Sequence, residues 1–329
     1  MKRKMLPVLF MCLMSFCFIL SGCGQQVLSV PLKDDMIYGN GGNVASKGDY
    51  VYYVNGYEGY ADLEKGNQNN WGKPDVSSIY RAKVVNGAFT DIKQIVPKVG
   101  GFESTSLYVY GDTLFFTTPN TKKDNEGKIK YEYISLCKIG LNGQNFSEIY
   151  STENWTNGKI SLIERNESLF AIIFDGSALM RINLKNNEIV TLAKEVSSVV
   201  MPYDKTQLSV QYQNQGARVQ DEFVYLTRAR TKEENPDVQG NILEKISIFS
   251  KEATQLSMKP GEVINLKKEA GGRIYYSKDT KLFSRNFDEV ADEKLHAYME
   301  FSDFFPLGID ENGNERGMIV SQNSNLFFM

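Results

Sequence analysis

Gly111-Asp112-Thr113-Leu114-Phe115-Phe116 sets a turn pair directly before a run of apolar and aromatic residues, and the same order returns at five other places. These are Gly48-Asp49-Tyr50-Val51-Tyr52-Tyr53, Asn166-Glu167-Ser168-Leu169-Phe170-Ala171, Gln220-Asp221-Glu222-Phe223-Val224-Tyr225, Gly271-Gly272-Arg273-Ile274-Tyr275-Tyr276 and Glu315-Arg316-Gly317-Met318-Ile319-Val320. Turn residues followed by β-branched and aromatic residues read as a strand leaving a tight turn. Five copies lead to a second strand that itself ends in a turn: Ile79 to Lys83 before Asn86-Gly87, Ser135 to Ile139 before Asn142-Gly143, Leu179 to Ile182 before Asn186-Asn187, Leu243 to Ser247 before Lys251-Glu252, and Leu282 to Asn286 before Asp288-Glu289. Asn-Gly is a hairpin signal because both central residues of a type I′ turn need positive φ. Third strands close the units at Asp91 to Val96, Ser147 to Tyr150 and Ile189 to Ala193. Each unit is a small antiparallel meander unable to bury its own faces. Meanders recurring about every 40 to 60 residues mark a β-propeller, whose sheets cover one another around an axis. The chain is therefore read as all-β, a six-bladed propeller of antiparallel blades over residues 44–329.

The order of turn, Tyr-Trp-Thr-Asp-like strand, Ile-x-Arg strand and Asp-Gly-like turn resembles the six-bladed propeller of the low-density-lipoprotein-receptor type, and a bacterial extracytoplasmic family of unknown function built on that pattern. Phe115-Phe116-Thr117-Thr118, Val224-Tyr225-Leu226-Thr227, Tyr275-Tyr276-Ser277-Lys278 and the segment from Ile79 to Gly87 carry the resemblance. The Asp that ends the receptor motif is missing from every copy, so a hydrogen-bond network built on it does not carry over.

At the N-terminus, Lys2, Arg3 and Lys4 precede an apolar run from Met5 to Leu20 broken only by Pro7 and Ser15. That run has the length of a signal-peptide core and is short for a membrane span. Leu20-Ser21-Gly22-Cys23 resembles the lipobox of bacterial lipoproteins, in which cleavage precedes the cysteine that receives a diacylglyceryl group. The resemblance implies a signal peptide over 1–22, a lipidated Cys23, a tether over 23–43, and a mature chain anchored outside the cytoplasm of a bacterium. Cys12 and Cys17 leave with the signal, so Cys137 is the one thiol left, a buried small hydrophobe in an apolar stretch. The net charge of −3 falls to −6 once Lys2, Arg3 and Lys4 are lost. That acidity argues against a nucleic-acid partner, which needs clustered Lys and Arg. The membrane is met through the lipid. The last unit ends at Leu326-Phe327-Phe328 without a further strand, and Gln25 to Leu32 is the candidate to complete it.

Three long connections fall in the same register of their units: Gly56 to Asp75, Pro119 to Lys130 and Arg228 to Asn241. In a propeller they share one rim, and long loops in compact domains carry function or are disordered. The first holds Tyr57, Tyr60 and Trp71, rings that suit sugar stacking or peptide contact, or that cap the loop's own small core. The third holds Arg228 and Arg230 among Lys232, Glu233 and Glu234, a cluster suited to a carboxylate or to plain solvation. These five residues, Tyr57, Tyr60, Trp71, Arg228 and Arg230, form the candidate ligand-binding rim. No catalytic residue, metal site or cofactor is expected: His296 is the sole histidine, no Gly-x-Ser-x-Gly elbow occurs, and the glycine in Asp310-Glu311-Asn312-Gly313 is misplaced for a calcium loop. The expectation is a non-enzymatic binding or scaffold module for a glycan, peptide or partner protein. The rival is a hydrolase or lyase acting on envelope polysaccharide through rim carboxylates, which need only meet in space.

Overall fold

The computed structural model describes residues 28–31, 33–34, 36–39, 41–55, 78–96, 105–119, 126, 134–152, 160–201, 223–230, 234, 240–256, 258–259, 261–270, 273–287 and 289–297, and the backbone of 301–309, 315–321 and 326–328. These residues form six antiparallel sheets. After β1 (Ile37–Tyr38), sheet 1 holds β2 (Val44–Lys47), β3 (Tyr50–Asn55), β4 (Ser78–Val85) and β5 (Ala88–Val96). Sheet 2 holds β6 (Leu107–Tyr110), β7 (Thr113–Pro119), β8 (Ile134–Gly140) and β9 (Ser147–Ser151), with β1 added beside β6. Sheet 3 is β10 (Ile160–Arg165), β11 (Ser168–Phe174), β12 (Leu179–Asn183) and β13 (Ile189–Ala193), and sheet 4 is β14 (Val196–Val200), β15 (Phe223–Arg228), β16 (Ile242–Ser247) and β17 (Ala253–Leu256). Sheet 5 is β18 (Asn265–Ala270), β19 (Arg273–Lys278), β20 (Lys281–Asn286) and β21 (Lys294–Ala297); sheet 6 has three strands, β22 (Phe301–Ile309), β23 (Glu315–Ser321) and β24 (Leu326–Phe328).

In blades 1 to 3 the repeated turn pair, Gly48-Asp49, Gly111-Asp112 and Asn166-Glu167, joins the first strand to the second, so the sequence pattern marks the second strand and passes over the one before it; in sheet 6 the expected pair Glu315-Arg316 instead lies within β23. Gly48 and Gly111 have φ of 55° and 61° while Asp49 and Asp112 do not, the conformation of a type II′ turn. Asn86-Gly87 has positive φ at both residues, 51° and 77°, as a type I′ turn requires. Asn142-Gly143 departs from the expected two-residue hairpin. Only Gly143 is positive, and the Asn142 carboxamide instead accepts the Gln144 N–H at 3.0 Å, widening the turn. In sheet 4 the connection between first and second strands runs over residues 201–222 in place of a tight turn. Before β21 the chain makes a 3₁₀ turn at Val290–Asp292.

Side chains alternate across a strand, and here both faces of a sheet are covered. In β7, Leu114 and Phe116 pack toward sheet 1 while Phe115 packs toward sheet 3. In β11, Leu169, Ala171 and Ile173 join sheet 2, and Ile172 joins sheet 4. In β15, Val224 and Leu226 meet sheet 3, whereas Tyr225 meets sheet 5. Fully burying one such side chain stabilises the fold by roughly 1.5–3 kcal/mol, and each seam holds many. First strands lie side by side, β2 with β6, β14 with β18 and β18 with β22. Burial falls toward the fourth strand: β10 is buried over Ile160 to Ile163, whereas β13 and β17 are mostly exposed or half-buried. Sheets stacked in chain order, with first strands inside and fourth strands outside, are the blades of a β-propeller.

The inside is not left open. β1 pairs with β6 in antiparallel register, Ile37 with Tyr110 and Tyr38 with Val109, and also lies against β10 and β2. Gly39 and Gly41 allow the approach. A Cβ at Gly39 would stand 2.7 Å from the Leu107 carbonyl oxygen, and one at Gly41 would stand 2.7 Å from the Tyr108 hydroxyl, both at positive φ. Lys47, 2% exposed, donates to the Gly111 carbonyl at 2.5 Å and pairs with Asp34 at 3.1 Å. Of the segment expected as tether and possible closing strand, the structure describes only part. Leu28 to Pro31 take no strand conformation, and the strand that the N-terminal segment does supply joins the second blade at its inner edge. Gln25 to Val27 and Leu32 lie outside the described residues.

Candidate functional site

Strand direction fixes which end of the propeller each connection occupies. First-to-second and third-to-fourth turns share one end, the hairpin face. Second-to-third connections and the links between blades share the other, the rim. Residues 56–77, 120–133 and 229–241 leave from the rim of blades 1, 2 and 4, whereas blades 3 and 5 turn there within 175–178 and 279–280. Tyr57, Tyr60 and Trp71 lie outside the described residues, as does Cys23.

Arg228, the last residue of β15, is committed within the chain. Its Nε and Nη2 donate to Glu244 at 2.9 and 2.7 Å, and Nη1 and Nη2 donate to Glu234 at 2.8 and 2.7 Å, with Nη1 also reaching the Ala229 carbonyl at 3.0 Å. All five guanidinium donors are thereby used, and the bonds to Glu234 and then Glu244 hold the group above the usual arginine value. An external carboxylate would have to displace a glutamate here. Arg230, two residues on, is different: its Nε is buried without a hydrogen-bond partner. A donor left so costs about 1–3 kcal/mol, which an incoming acceptor would recover.

A second charged cluster, not visible in the sequence, sits beside blade 5. Lys278 at the rim end of β19 donates at 2.9 Å both to Glu262, in the link from blade 4, and to Glu293. Lysine 259 and the Tyr276 hydroxyl also donate to Glu293, at 2.7 and 2.6 Å. Because both carboxylates accept from one nitrogen, their bonded oxygens are within about 6 Å of each other, close to the spacing used in glycoside cleavage. Their electrostatics run against that use. Burial raises the Glu293 carboxyl, but the bonds from Lys259, Tyr276 and Lys278 outweigh it and bring it down to about 2. A proton donor at neutral pH needs the opposite shift. Among the described residues no three His, Cys, Asp or Glu side chains are placed to hold a metal ion.

Two other side chains stand as the sequence suggested. Cys137 is buried between blades 1 and 2, and burial, with the Glu148 charge, pushes its thiol up to about 12, which keeps it protonated and unreactive. His296 is packed on Tyr275, with Nε2 2.8 Å from the Ser284 hydroxyl.

Fold and rim together define a β-propeller with long connections at its rim and a short extra strand at the inner edge of its second blade. No family model matches the sequence, and no curated protein matches it. Among solved structures the chain is similar to one in a nidogen/laminin complex (10% identity, TM-score 0.36, 77% of this chain and 86% of that one). It is similar also to a prolyl endopeptidase (9%, TM-score 0.41), of which it spans 40% while 86% of this chain is covered. The β-propeller domain of the Trilobed protease from Pyrococcus furiosus, described as having an open velcro topology, overlaps at 13% identity and a TM-score of 0.32, covering 88% of this chain and 93% of that one. These overlaps are too loose to add to the blade geometry given above.

Proposed function

We propose that the chain is a cell-surface bacterial lipoprotein, lipidated at Cys23, whose six sheets close as a six-bladed propeller and whose rim binds a glycan, a peptide or a partner protein without catalysis. The observation that supports this reading is that three long connections, residues 56–77, 120–133 and 229–241, extend from the rim, against one, residues 201–222, from the hairpin face. Ile37–Tyr38 occupies the inner edge of blade 2 beside β6, which favours the rim as the ligand surface over that edge. Arg230 is the described rim residue with an unused donor, and Tyr57, Tyr60 and Trp71 supply rings in the longest of these connections. The rival hydrolase or lyase would draw on Glu262 and Glu293, and the lysines around them favour ionised carboxylates over a proton donor.

The test is a glycan and peptide array probed with the soluble chain from Gln25 onward, alongside Trp71→Ala and Arg230→Ala. Saturable binding weakened several-fold by either substitution is expected. Turnover of an envelope polysaccharide that Glu262→Gln or Glu293→Gln abolishes would replace this reading with the enzymatic one.

A further inference from the structure

The described residues between 28 and 43 reach from one end of the propeller to the other, and their direction can be read. At the hairpin face the Ser29 carbonyl accepts from Arg81 Nη1, and the Ser29 hydroxyl bonds the Tyr50 hydroxyl at 2.9 Å. Nearby, a side chain at Gly48 would meet Pro31 at 3.6 Å, and one at Gly111 would meet Lys33 at 3.6 Å. Asp34 closes this end by pairing with Lys47 and accepting from the Tyr38 hydroxyl at 2.6 Å. The chain then follows β6 toward the rim, where Gly41 O accepts from Ser106 Oγ at 2.9 Å, Gly42 O from Leu107 N at 2.9 Å, and Asn43 O from Val54 N at 3.0 Å. There it reverses into β2. Residue 28 is thus at the hairpin face and residue 43 at the rim.

Cys23 precedes Leu28 by five residues, at most about 18 Å of extended chain. A strand of six to eight residues already spans roughly 20–26 Å, so an anchor starting from the hairpin face does not reach the rim. We propose that the axial run of residues 28–43 acts as a strut that apposes the hairpin face to the bilayer and turns the elaborated rim away from it. This rests on lipidation of Cys23.

The experiment uses the full lipidated chain in phosphatidylethanolamine and phosphatidylglycerol vesicles containing a headgroup-nitroxide lipid. One fluorophore is attached either at Lys185→Cys, in the exposed β12–β13 turn of the hairpin face, or at Lys194→Cys, in the exposed link on the rim side of the same blade. Cys137 is 1% exposed and does not compete for label. Intact mass and detergent partition, against Cys23→Ala, establish the lipid first; a chain without lipid overturns both the lipoprotein reading and the strut. With lipid present, the label at 185 is expected to be quenched several-fold more than that at 194. Equal or reversed quenching overturns the strut and leaves the lipoprotein reading standing. A Gly/Ser insert of about 20 residues between Val27 and Leu28, a flexible coil, is expected to erase the difference, and a difference that survives the insert also overturns the strut.

Discussion

Between first strands, the hydroxyls of Ser106, Tyr108 and Ser198 bond the backbone of the neighbouring blade, whereas at the rim Arg228 and Lys278 are each held by a pair of carboxylates. Ser106 Oγ accepts the Ile160 N–H at 3.3 Å and Tyr108 donates to the Ile160 carbonyl at 2.9 Å, which ties blade 2 to blade 3. Blade 4 repeats the device. Ser198 Oγ accepts the Leu266 N–H of blade 5 at 2.9 Å and meets the Thr227 hydroxyl at 2.5 Å. Thr117 stands in blade 2 where Thr227 stands in blade 4, accepting the Ser106 N–H at 2.8 Å. At the rim, by contrast, Arg228 is shared between Glu234 and Glu244, and Lys278 between Glu262 and Glu293. A backbone partner cannot swing away, so the inner bonds fix the angle between blades. Side-chain partners can exchange, so the rim can be rebuilt by a ligand without opening the fold.

The sharpest way to break this contrast is to widen the axis. Gly39→Val puts a branched side chain at φ 95° against the Leu107 carbonyl, and a loss of about 3 kcal/mol is expected in denaturant unfolding. Removing an inner bond is the next largest change. Ser198→Ala strands the buried Leu266 N–H, for an expected loss of about 2 kcal/mol, while Thr227→Ser, which keeps the hydroxyl, costs less than half of that.

Acid titration separates the two regions by another route. Glu293 falls from an ordinary 4.5 to about 2 in the folded chain. Its contribution is therefore complete above the unfolded value and lost as pH drops from about 5 toward 2. Thermal unfolding is expected to weaken across that window by about 1–2 kcal/mol from this group. Glu293→Gln should flatten that part of the profile, and an unchanged slope would remove the network from the account. The smallest effect belongs to the outside. Ile189→Thr in β13, where Ile189 is 47% exposed, should alter stability by about 0.5 kcal/mol or less. A loss of 2 kcal/mol there would mean that the fourth strand is not the outer one.

The turns were legible because their chemistry is local: Gly48, Gly111 and Asn86-Gly87 occupy backbone conformations that few other residues enter. Leu107-Tyr108-Val109-Tyr110 has no turn pair directly in front, so this first strand merges with the preceding connection in the sequence pattern. Gly39 and Gly41 look like linker glycines, and only the neighbouring Leu107 carbonyl and Tyr108 hydroxyl reveal them as residues needed for close approach. Lys47 looks like an exposed strand end until Asp34 and Gly111 O are found beside it. At the rim, Arg228 and Arg230 share composition and differ in partners. Glu244 lies 16 residues from Arg228 in the chain, a separation that no local pattern encodes.

The central claim is that residues 37–39 and 41–43 are bonded into the inner edge of the propeller and are not a free tether. Hydrogen exchange followed by mass spectrometry on the mature chain tests it directly. Peptides covering 36–43 and 105–110 should exchange as slowly as β7 and β11, and orders of magnitude more slowly than the Ala88 to Thr90 edge. Exchange of 36–43 within seconds, with β7 and β11 still protected, would contradict it.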